Sequence, residues 1–311
     1  MSAVNYSFHN GLCLREAKGM NEKMEINGKT AVCGLIGNPV EHTLSPMIHN
    51  TLAKRLGHDL VYVPFPVAQG RVPDAVAGAD ALHLLGLNVT VPYKSEVIGS
   101  LKAIDALAER IGAVNTLVRT EGGYKGYNTD MEGLYRAMTV EGIRISGEQI
   151  ILLGAGGAAR AVAYLCAVKG AEKVYMLNRT PGKAEQAAEE VNRSVGRQVI
   201  FPMATEDHAT LPEGKYLAIQ GTSVGLAPHT EDVVIPDRAF YEKIHTGFDL
   251  IYSPWETKFM KLVKEQGGKA YNGLKMLLYQ GIIAYELWND VQVSEEDAQV
   301  VYTKLKEHFA N

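Results

Sequence analysis

The sequence predicts a two-domain α/β protein with mostly parallel sheets. Three observations carry this reading. The chain has 311 residues, more than one ordinary core organises. Short apolar runs alternate with helix-like stretches, the pattern of parallel strands joined by crossover helices. A glycine-rich turn, Gly154-Ala155-Gly156-Gly157-Ala158-Ala159-Arg160, separates an apolar run from a helical pattern, as the phosphate loop of a doubly wound domain does.

The elements can be justified in order. Thr30 to Gly37 (TAVCGLIG) is a short apolar run ending in glycine, hence a buried strand. A helix follows, with Ser45 as cap, Pro46 at the first helical position and Gly57 as its end. Leu60 to Phe65 is a β-rich strand, a helix spans about Gly70 to Ala79, and Leu84 to Val89 is a strand again. Ser100 to Ile111 reads as helix, Val114 to Arg119 as strand, and Glu121-Gly122-Gly123 as a turn. A helix opens at Thr129-Asp130 and runs to about Val140. Gln149 to Leu153 is almost wholly apolar, as a central parallel strand should be. Helix Gly156 to Lys169, strand Lys173 to Leu177 and helix Pro181 to Ser194 continue the alternation. Tyr216 to Ile219 and Thr246 to Ile251 are further strands, which completes a Rossmann-like rhythm. Gly273 to Trp288 carries Leu274, Leu277, Leu278, Ile282 and Tyr285 at helical spacing. A last helix lies within Asp290 to Asn311, capped by Ser294, with Glu295 and Glu296 in its first turn.

No strand is expected after residue 272, so the C-terminal helices should return to the first domain. The expected partition is an extension over 1–24, a substrate-binding unit of 25–129 plus 273–311, and a nucleotide-binding unit of 130–272. Residues 1–24 contain Glu16, Lys18, Glu22 and Lys23 without an apolar core, unlike a signal peptide. They read as a poorly packed extension, with Met20 and Met24 as alternative starting positions.

Composition narrows the function. Hydrophobic residues make up 46% and charged residues 21%, as in a soluble globular protein. A net charge of −4 argues against a nucleic-acid partner. No apolar run approaches the roughly 18 to 20 residues of a membrane span. The cysteines are Cys13, Cys33 and Cys166, an odd count without a CxxC pair. Cys33 and Cys166 sit in apolar segments and read as small core residues, with no metal site and a reducing cytoplasm implied.

The motifs point to redox chemistry. In G-x-G-G-x-x-R, small residues let the backbone approach a pyrophosphate at a helix N-terminus. A tight strand–helix turn could bind nothing, but the strand before it and the helix after it favour a dinucleotide. An NAD site wants an acid at the end of the next strand; this chain has Asn178-Arg179-Thr180, with Lys183 close by. Arg179 can stack on adenine and pair with a 2′-phosphate, so NADP is the better match. Lys94 follows a strand in Asn88-Val89-Thr90-Val91-Pro92-Tyr93-Lys94, and Asp130 ends Gly126-Tyr127-Asn128-Thr129-Asp130. Alone, each would pass for a surface lysine and a first-turn helix acid. Asn88, Thr90, Asn115, Asn128 and Thr129 also fall at strand ends or helix starts, where open α/β sheets bind ligands. A lysine, an aspartate and a dinucleotide site, set among such polar groups, suit hydride transfer with a polyhydroxylated substrate.

With these residues in view, the chain resembles the shikimate dehydrogenase family. The matching stretches are GNPVEHTLSP from Gly37 with His49-Asn50, NVTVPYK, Ala113-Val114-Asn115-Thr116-Leu117, GYNTD, GAGGAAR, Asn178-Arg179-Thr180, Asp249-Leu250-Ile251-Tyr252-Ser253-Pro254 with Thr257, and Gly273-x-x-Met276-Leu277 with Gln280. They run in family order from about residue 25 to 290. The resemblance implies reversible NADPH-dependent reduction of 3-dehydroshikimate to shikimate, in aromatic amino acid biosynthesis. It implies Lys94 and Asp130 as the catalytic pair. Thr43 and Ser45 would bind the substrate carboxylate; Thr90, Asn115, Asp130 and Gln280 its hydroxyls, with Tyr252 beside them. Gly154, Ala155, Gly156, Gly157 and Ala158 would hold the pyrophosphate, and Asn178, Arg179, Thr180 and Lys183 the 2′-phosphate end. Thr222, Gly273 and Met276 would lie along the cofactor. The family includes monomers and homodimers.

Two departures from the family pattern stand out. Thr43 replaces a serine, which keeps the hydroxyl, adds a methyl and narrows the pocket against a bulkier acid such as quinate. Gln220-Gly221-Thr222-Ser223 replaces Asn-Ala-Thr-Ser in a loop that flanks the nicotinamide in the family. Three competing readings are a quinate/shikimate dehydrogenase using NAD or NADP, a non-catalytic metabolite sensor, and a methylenetetrahydrofolate dehydrogenase. Arg179 argues against an NAD preference. A sensor should have lost Lys94 or Asp130, or carry a DNA-binding segment. The GNPVEHTLSP stretch with a later GYNTD fits the third poorly.

Overall fold

A computed structural model describes residues 25–310. The expectations for residues 1–24, with Cys13, Met20 and Met24, lie outside the described residues. The first half contains strand β1 (Ala31–Gly37), helix α1 (Ser45–Leu56), β2 (Leu60–Pro66), α2 (Val72–Ala81), β3 (Gly86–Val89), β4 (Ala103–Ile104), α3 (Ala106–Ile111), β5 (Thr116–Thr120) and β6 (Gly123–Tyr127). Helix α4 (Thr129–Val140) leads to β7 (Gln149–Leu153), α5 (Gly157–Val168), β8 (Lys173–Asn178), α6 (Pro181–Val195) and β9 (Ile200–Ala204). There follow β10 (Tyr216–Gln220), α7 (Arg238–Glu242), β11 (Ile244–Asp249), α8 (Lys258–Glu265), β12 (Lys269–Tyr271), α9 (Leu274–Asn289) and α10 (Glu295–Ala310).

The strands form two six-stranded sheets. The first has the order β2-β1-β3-β5-β6-β4, with β1 parallel to β2 and β3, and β5 antiparallel to both its neighbours. The second has the order β12-β11-β10-β7-β8-β9 and is parallel throughout. Its strand order reverses between β7 and β10, the topological switch point at which doubly wound sheets bind dinucleotides.

Three local expectations are corrected. Leu44, not Ser45, occupies the cap position of α1, and no side chain caps that helix. The hydroxyl of Thr43 instead accepts from Ser45 N–H at 3.2 Å and donates to Ser45 Oγ at 3.1 Å. The stretch 100–111 is not one helix: a 3-10 turn ends at Ser100, β4 adds to the sheet edge, and α3 starts after Asp105, whose carboxylate accepts from Leu107 N–H. Strands β4, β6, β9 and β12 and helices α7 and α8 were not read from the sequence. Strand β9 holds Pro202 and forms the sheet edge, where a missing N–H is tolerated. The end of α1 at Gly57 (φ 68°) and the Ser294 cap, which accepts from Asp297 N–H at 3.1 Å, are as expected. Cys33 and Cys166 are free and fully buried, and burial pushes each thiol up to about 12.

The C-terminal helices do fold back. Helix α9 packs along α4 and α1, and α10 lies on α1. One apolar cluster runs from Cys33 and Leu52 through Leu134, Leu278 and Ile282 to Leu152 and Met176, so α4 and α9 knit the two sheets together. The α4–α9 contact is tight at Gly133, where an added Cβ would lie 2.6 Å from the backbone N of Gln280. That crossing fixes the start of α4 against the middle of α9, and the candidate site lies there.

Candidate active site

A cavity of about 320 Å³ opens at the carboxyl ends of β1 and β3. Its volume falls in the range of small-molecule sites. Its walls contain Thr43, Ser45, Thr90, Lys94, Asn115 and Asp130, together with Tyr252, Gly273, Met276 and Gln280. Every residue assigned to substrate from the sequence therefore meets in one place. Leu250, Leu277 and His42 also line it and were not read as site residues.

Lysine 94 and Asp130 form its ionic centre. Lys94 Nζ donates to Asp130 Oδ2 at 2.7 Å, with the side chains 33% and 25% exposed. Both atoms therefore remain accessible from the cavity. Helix α4 delivers Asp130 because Asn128 caps it: Asn128 Oδ1 accepts from Asp130 N–H at 3.1 Å, and Asn128 Nδ2 donates to Ala113 O at 3.0 Å. The spacing Asn-x-Asp at a helix start could have announced that cap.

Asn115 is the hub beneath this pair. Its Nδ2 lies 2.9 Å from Asp130 Oδ1, 3.0 Å from Thr129 Oγ1 and 3.5 Å from Gln280 Oε1. Its Oδ1 accepts from Thr129 N–H at 2.7 Å. Asn88 continues the network: its Nδ2 donates to Thr116 Oγ1 at 3.1 Å, and its Oδ1 accepts from Tyr62 O–H at 2.8 Å. These groups are almost fully buried, so each bond is costly to lose. His49 stacks on Tyr62 at 4.2 Å, and burial holds its imidazole down at about 3, hence neutral. Asn50 clamps the backbone of Tyr62 from both sides, accepting from its N–H at 2.8 Å and donating to its carbonyl at 3.1 Å. The His49-Asn50 pair thus supports the cavity floor from below.

The opposite wall is made by Thr43 and Ser45 at the N-terminus of α1. Hydroxyl donors and a helix N-terminus favour an anion. Gly37 makes room for Thr90, since a Cβ there would lie 2.3 Å from Thr90 Cγ2. Gly273 must also be bare: its Cβ would lie 2.1 Å from Leu250 O.

Most of the residues expected to hold the cofactor lie along the carboxyl ends of β7, β8 and β10, with Gly273 and Met276 at the start of α9. Gly154 has φ 108°, a conformation that favours glycine, and Thr222 Cγ2 presses on it. Gly156 precedes α5, and no side chain caps that helix. A Cβ on Gly156 or Gly157 would meet nothing within 4 Å, so this face is open to a bulky anion. Arg179, Thr180 and Lys183 lie exposed at the end of β8 and the start of α6, and Asn178 Nδ2 donates to Thr180 O at 2.9 Å. Neither Arg179 nor Lys183 makes an ion pair among the described residues, which leaves two exposed cations at the end of β8 and the start of α6. Gly157, Ala158 and Met276 line a cleft of about 620 Å³ that also reaches Lys94 and Asp130. Ala155 is buried at the turn. The residues present fit a dinucleotide phosphate, and the cleft runs from Gly157 and Ala158 to the ionic pair, whereas Gly154, Gly156, Asn178, Arg179, Thr180, Lys183 and Thr222 do not line it. No cluster of His, Cys, Asp or Glu among the described residues could hold a metal.

Comparison with known proteins agrees with this geometry. Residues 35–117 match the shikimate dehydrogenase substrate binding domain, and residues 137–203 match the shikimate/quinate 5-dehydrogenase model. A shikimate dehydrogenase (NADP(+)) of Carboxydothermus hydrogenoformans is 39% identical over 269 residues, covering 86% of this chain and 95% of the relative. The chain belongs to the shikimate dehydrogenase family. Solved members of the family share its architecture. The Listeria monocytogenes shikimate 5-dehydrogenase, crystallised with shikimate and NAD, superposes with a TM-score of 0.82 at 32% identity, covering 90% of this chain and 98% of the other. A shikimate dehydrogenase in complex with NADP+ gives 0.80 at 36% identity, covering 90% and 97%. The two-sheet α/β fold expected from the sequence is the fold of the family.

Proposed function

We propose that this chain is an NADP-dependent shikimate dehydrogenase, reducing 3-dehydroshikimate to shikimate reversibly in aromatic amino acid biosynthesis. The observation that carries the reading is the 2.7 Å Lys94–Asp130 pair, which faces both a small cavity lined by Thr43, Ser45, Thr90, Asn115 and Gln280 and the cleft that reaches Gly157 and Ala158. Residues 25–129 with 273–311 act as the substrate-binding unit, and 130–272 as the NADP-binding unit. The protein works in the reducing cytoplasm, as a monomer or homodimer.

The residues account for the chemistry. Thr43 and Ser45 receive the substrate carboxylate. Thr90, Asn115, Asp130 and Gln280 receive ring hydroxyls, and Tyr252 closes the side. Bound NADPH supplies the hydride. As negative charge develops on the ring ketone oxygen, Lys94 as ammonium stabilises it and donates a proton. Asp130 accepts from the ammonium at 2.7 Å and holds it in place. Asn115, itself locked by Thr129 N–H, prevents Asp130 from turning away. In the oxidative direction Lys94 takes the proton from the hydroxyl. Arg179 and Lys183 meet the 2′-phosphate, which supports NADP over NAD.

The test is reduction of NADP+ by the purified protein, with shikimate and quinate in parallel and NAD+ as control. The expected result is fast turnover with shikimate and NADP+ alone. Comparable rates with quinate or NAD+ would move the chain to the broader dehydrogenases. NADPH binding without turnover on any pair would make it a sensor.

A further inference from the structure

We infer that Gln220 is a positioning residue for the dinucleotide: its buried amide braces Thr222 against the first glycine of the phosphate loop. The inference rests on the dinucleotide reading above. Gln220 ends β10, at the switch point beside β7, and is 1% exposed. Its Oε1 accepts from both Thr222 N–H and Thr222 Oγ1 at 2.8 Å, and its Nε2 donates to Val224 O at 2.8 Å. Thr222 Oγ1 in turn accepts from Val224 N–H at 3.1 Å. One side chain therefore shapes the whole turn from 221 to 224.

That turn presses on the cradle. Thr222 Cγ2 would lie 2.8 Å from a Cβ on Gly154, whose φ is 108°. The backbone links the same three strand ends: Gly221 N–H donates to Leu153 O at 2.9 Å, and Leu250 N–H donates to Gln220 O at 3.1 Å. Gly221 complements the long glutamine. A Cβ there would lie 3.2 Å from Ala159 Cβ and 3.3 Å from Leu153 O, so the bare glycine lets the first turn of α5 sit close to β10. An asparagine at 220 would be shorter by one carbon, about 1.5 Å, so its amide would stop about one bond short of where the Gln220 amide meets Thr222 and Val224. The departure at 220–221 is thus an internally consistent pair, and its output is the shape of the surface that meets the pyrophosphate. A cradle already held in shape binds more tightly, because less ordering remains to be done on binding.

The experiment measures NADPH dissociation constants by fluorescence titration for the wild-type chain, Gln220→Ala, Thr222→Val and the double variant. Thr222→Val keeps the methyl against Gly154 and removes only the hydroxyl, so it probes the brace should Gln220→Ala fold poorly. Steady-state KM for shikimate at saturating NADP+ is measured alongside. Each single variant is expected to weaken NADPH binding about tenfold, the consequence of losing a buried hydrogen bond or two. The double variant should be no weaker than the worse single within about twofold, because both changes cut one brace. KM for shikimate should stay within about twofold. Unchanged NADPH affinity in both singles, or losses that multiply in the double, would overturn the inference. Wild-type protein that binds no NADPH would overturn the dinucleotide reading itself, and this inference with it.

Discussion

Replacing Gly133 by alanine should damage the site from a distance. The added Cβ would lie 2.6 Å from Gln280 N and 2.9 Å from both Gln280 Cα and Cβ. Two of those three atoms are backbone, so no side-chain rotation relieves the clash. Helices α4 and α9 must separate by roughly 1 Å to restore ordinary contact, and overpacking of this kind costs about 1–3 kcal/mol. We place it near the top of that range, because both sides of the contact are helix. Alanine returns about 1 kcal/mol of helix propensity, for a net loss of about 2 kcal/mol. The functional effect should be larger than the stability effect. Asp130 lies one turn before Gly133, and Gln280 is the contact itself, so the separation falls between two walls of the cavity. A displacement near 1 Å can cost about 10²-fold in rate. The assay pairs urea unfolding with kcat/KM for shikimate, and uses Gly78→Ala as control, since a Cβ there meets nothing within 4 Å in α2. A Gly133→Ala protein as stable as the wild type, with unaltered kcat/KM, would refute the argument that this crossing sets the site.

The remaining predictions concern single groups. Lys94→Ala should lower kcat about 10²–10⁴-fold with little change in KM, as for a general acid–base group, and steady-state kinetics with near-normal kcat would refute its role. Arg179→Ala should weaken NADP+ binding by about 10–100-fold, the worth of charged hydrogen bonds, and leave NAD+ binding nearly unchanged; equal losses for both cofactors would point to adenine stacking instead. Asp249 is fully buried, accepting from Ile251 N–H at 2.9 Å and from Thr257 O–H at 2.6 Å. Burial raises its carboxyl to about 6 from 3.8. A folded value above the unfolded one gives stability that is fully present below pH 4 and lost as pH rises through 6. The loss amounts to at most about 3 kcal/mol. The stability difference between wild type and Asp249→Asn, from urea melts, should therefore move against the wild type between pH 4 and 7, and a pH-independent difference would contradict this.

What the sequence disclosed, and what it hid, follows from the range of the interactions. Lys94, Thr90, Asp130 and glycines 154, 156 and 157 lie where a strand ends or a helix begins, and such boundaries are marked by local composition. Their convergence was legible because open α/β sheets gather ligands at the carboxyl ends of strands. The hairpin strand β6 escaped notice because GYKGY carries two glycines and a lysine, and it is held by pairing with β5. The 100–111 stretch misled because its residues favour helix, whereas Ala103 and Ile104 are drawn to the sheet edge beside Lys125 and Gly126. Ser45 misled for a local reason: the helix starts one residue earlier than a Ser45 cap requires, and its Oγ accepts from the Thr43 hydroxyl rather than from a helix N–H. Gly133 gave only the faint signal of a glycine inside a helical pattern, whose purpose requires knowing which helix crosses it.

The charge layout of the cavity has a chemical consequence. Lys94 and Asp130 are opposite charges in direct contact, and among the described residues the only other ionisable side chains lining the same cavity are Tyr252 and the exposed His42. On the proposed reading, the wall that would receive the carboxylate offers Thr43 and Ser45 hydroxyls and the start of α1, and among the described residues no lysine or arginine. An arginine there would bind an acid more tightly, but binding that is equal in ground and transition states does not speed the chemical step. On that reading, neutral donors at one end would leave Lys94 as the cation nearest the oxygen that gains charge, and its contact with Asp130 would keep it from reaching toward the carboxylate instead. The charge that matters is thus reserved for the stage of the reaction at which new charge appears, and Asn115, Asn128 and the α4–α9 crossing hold it there.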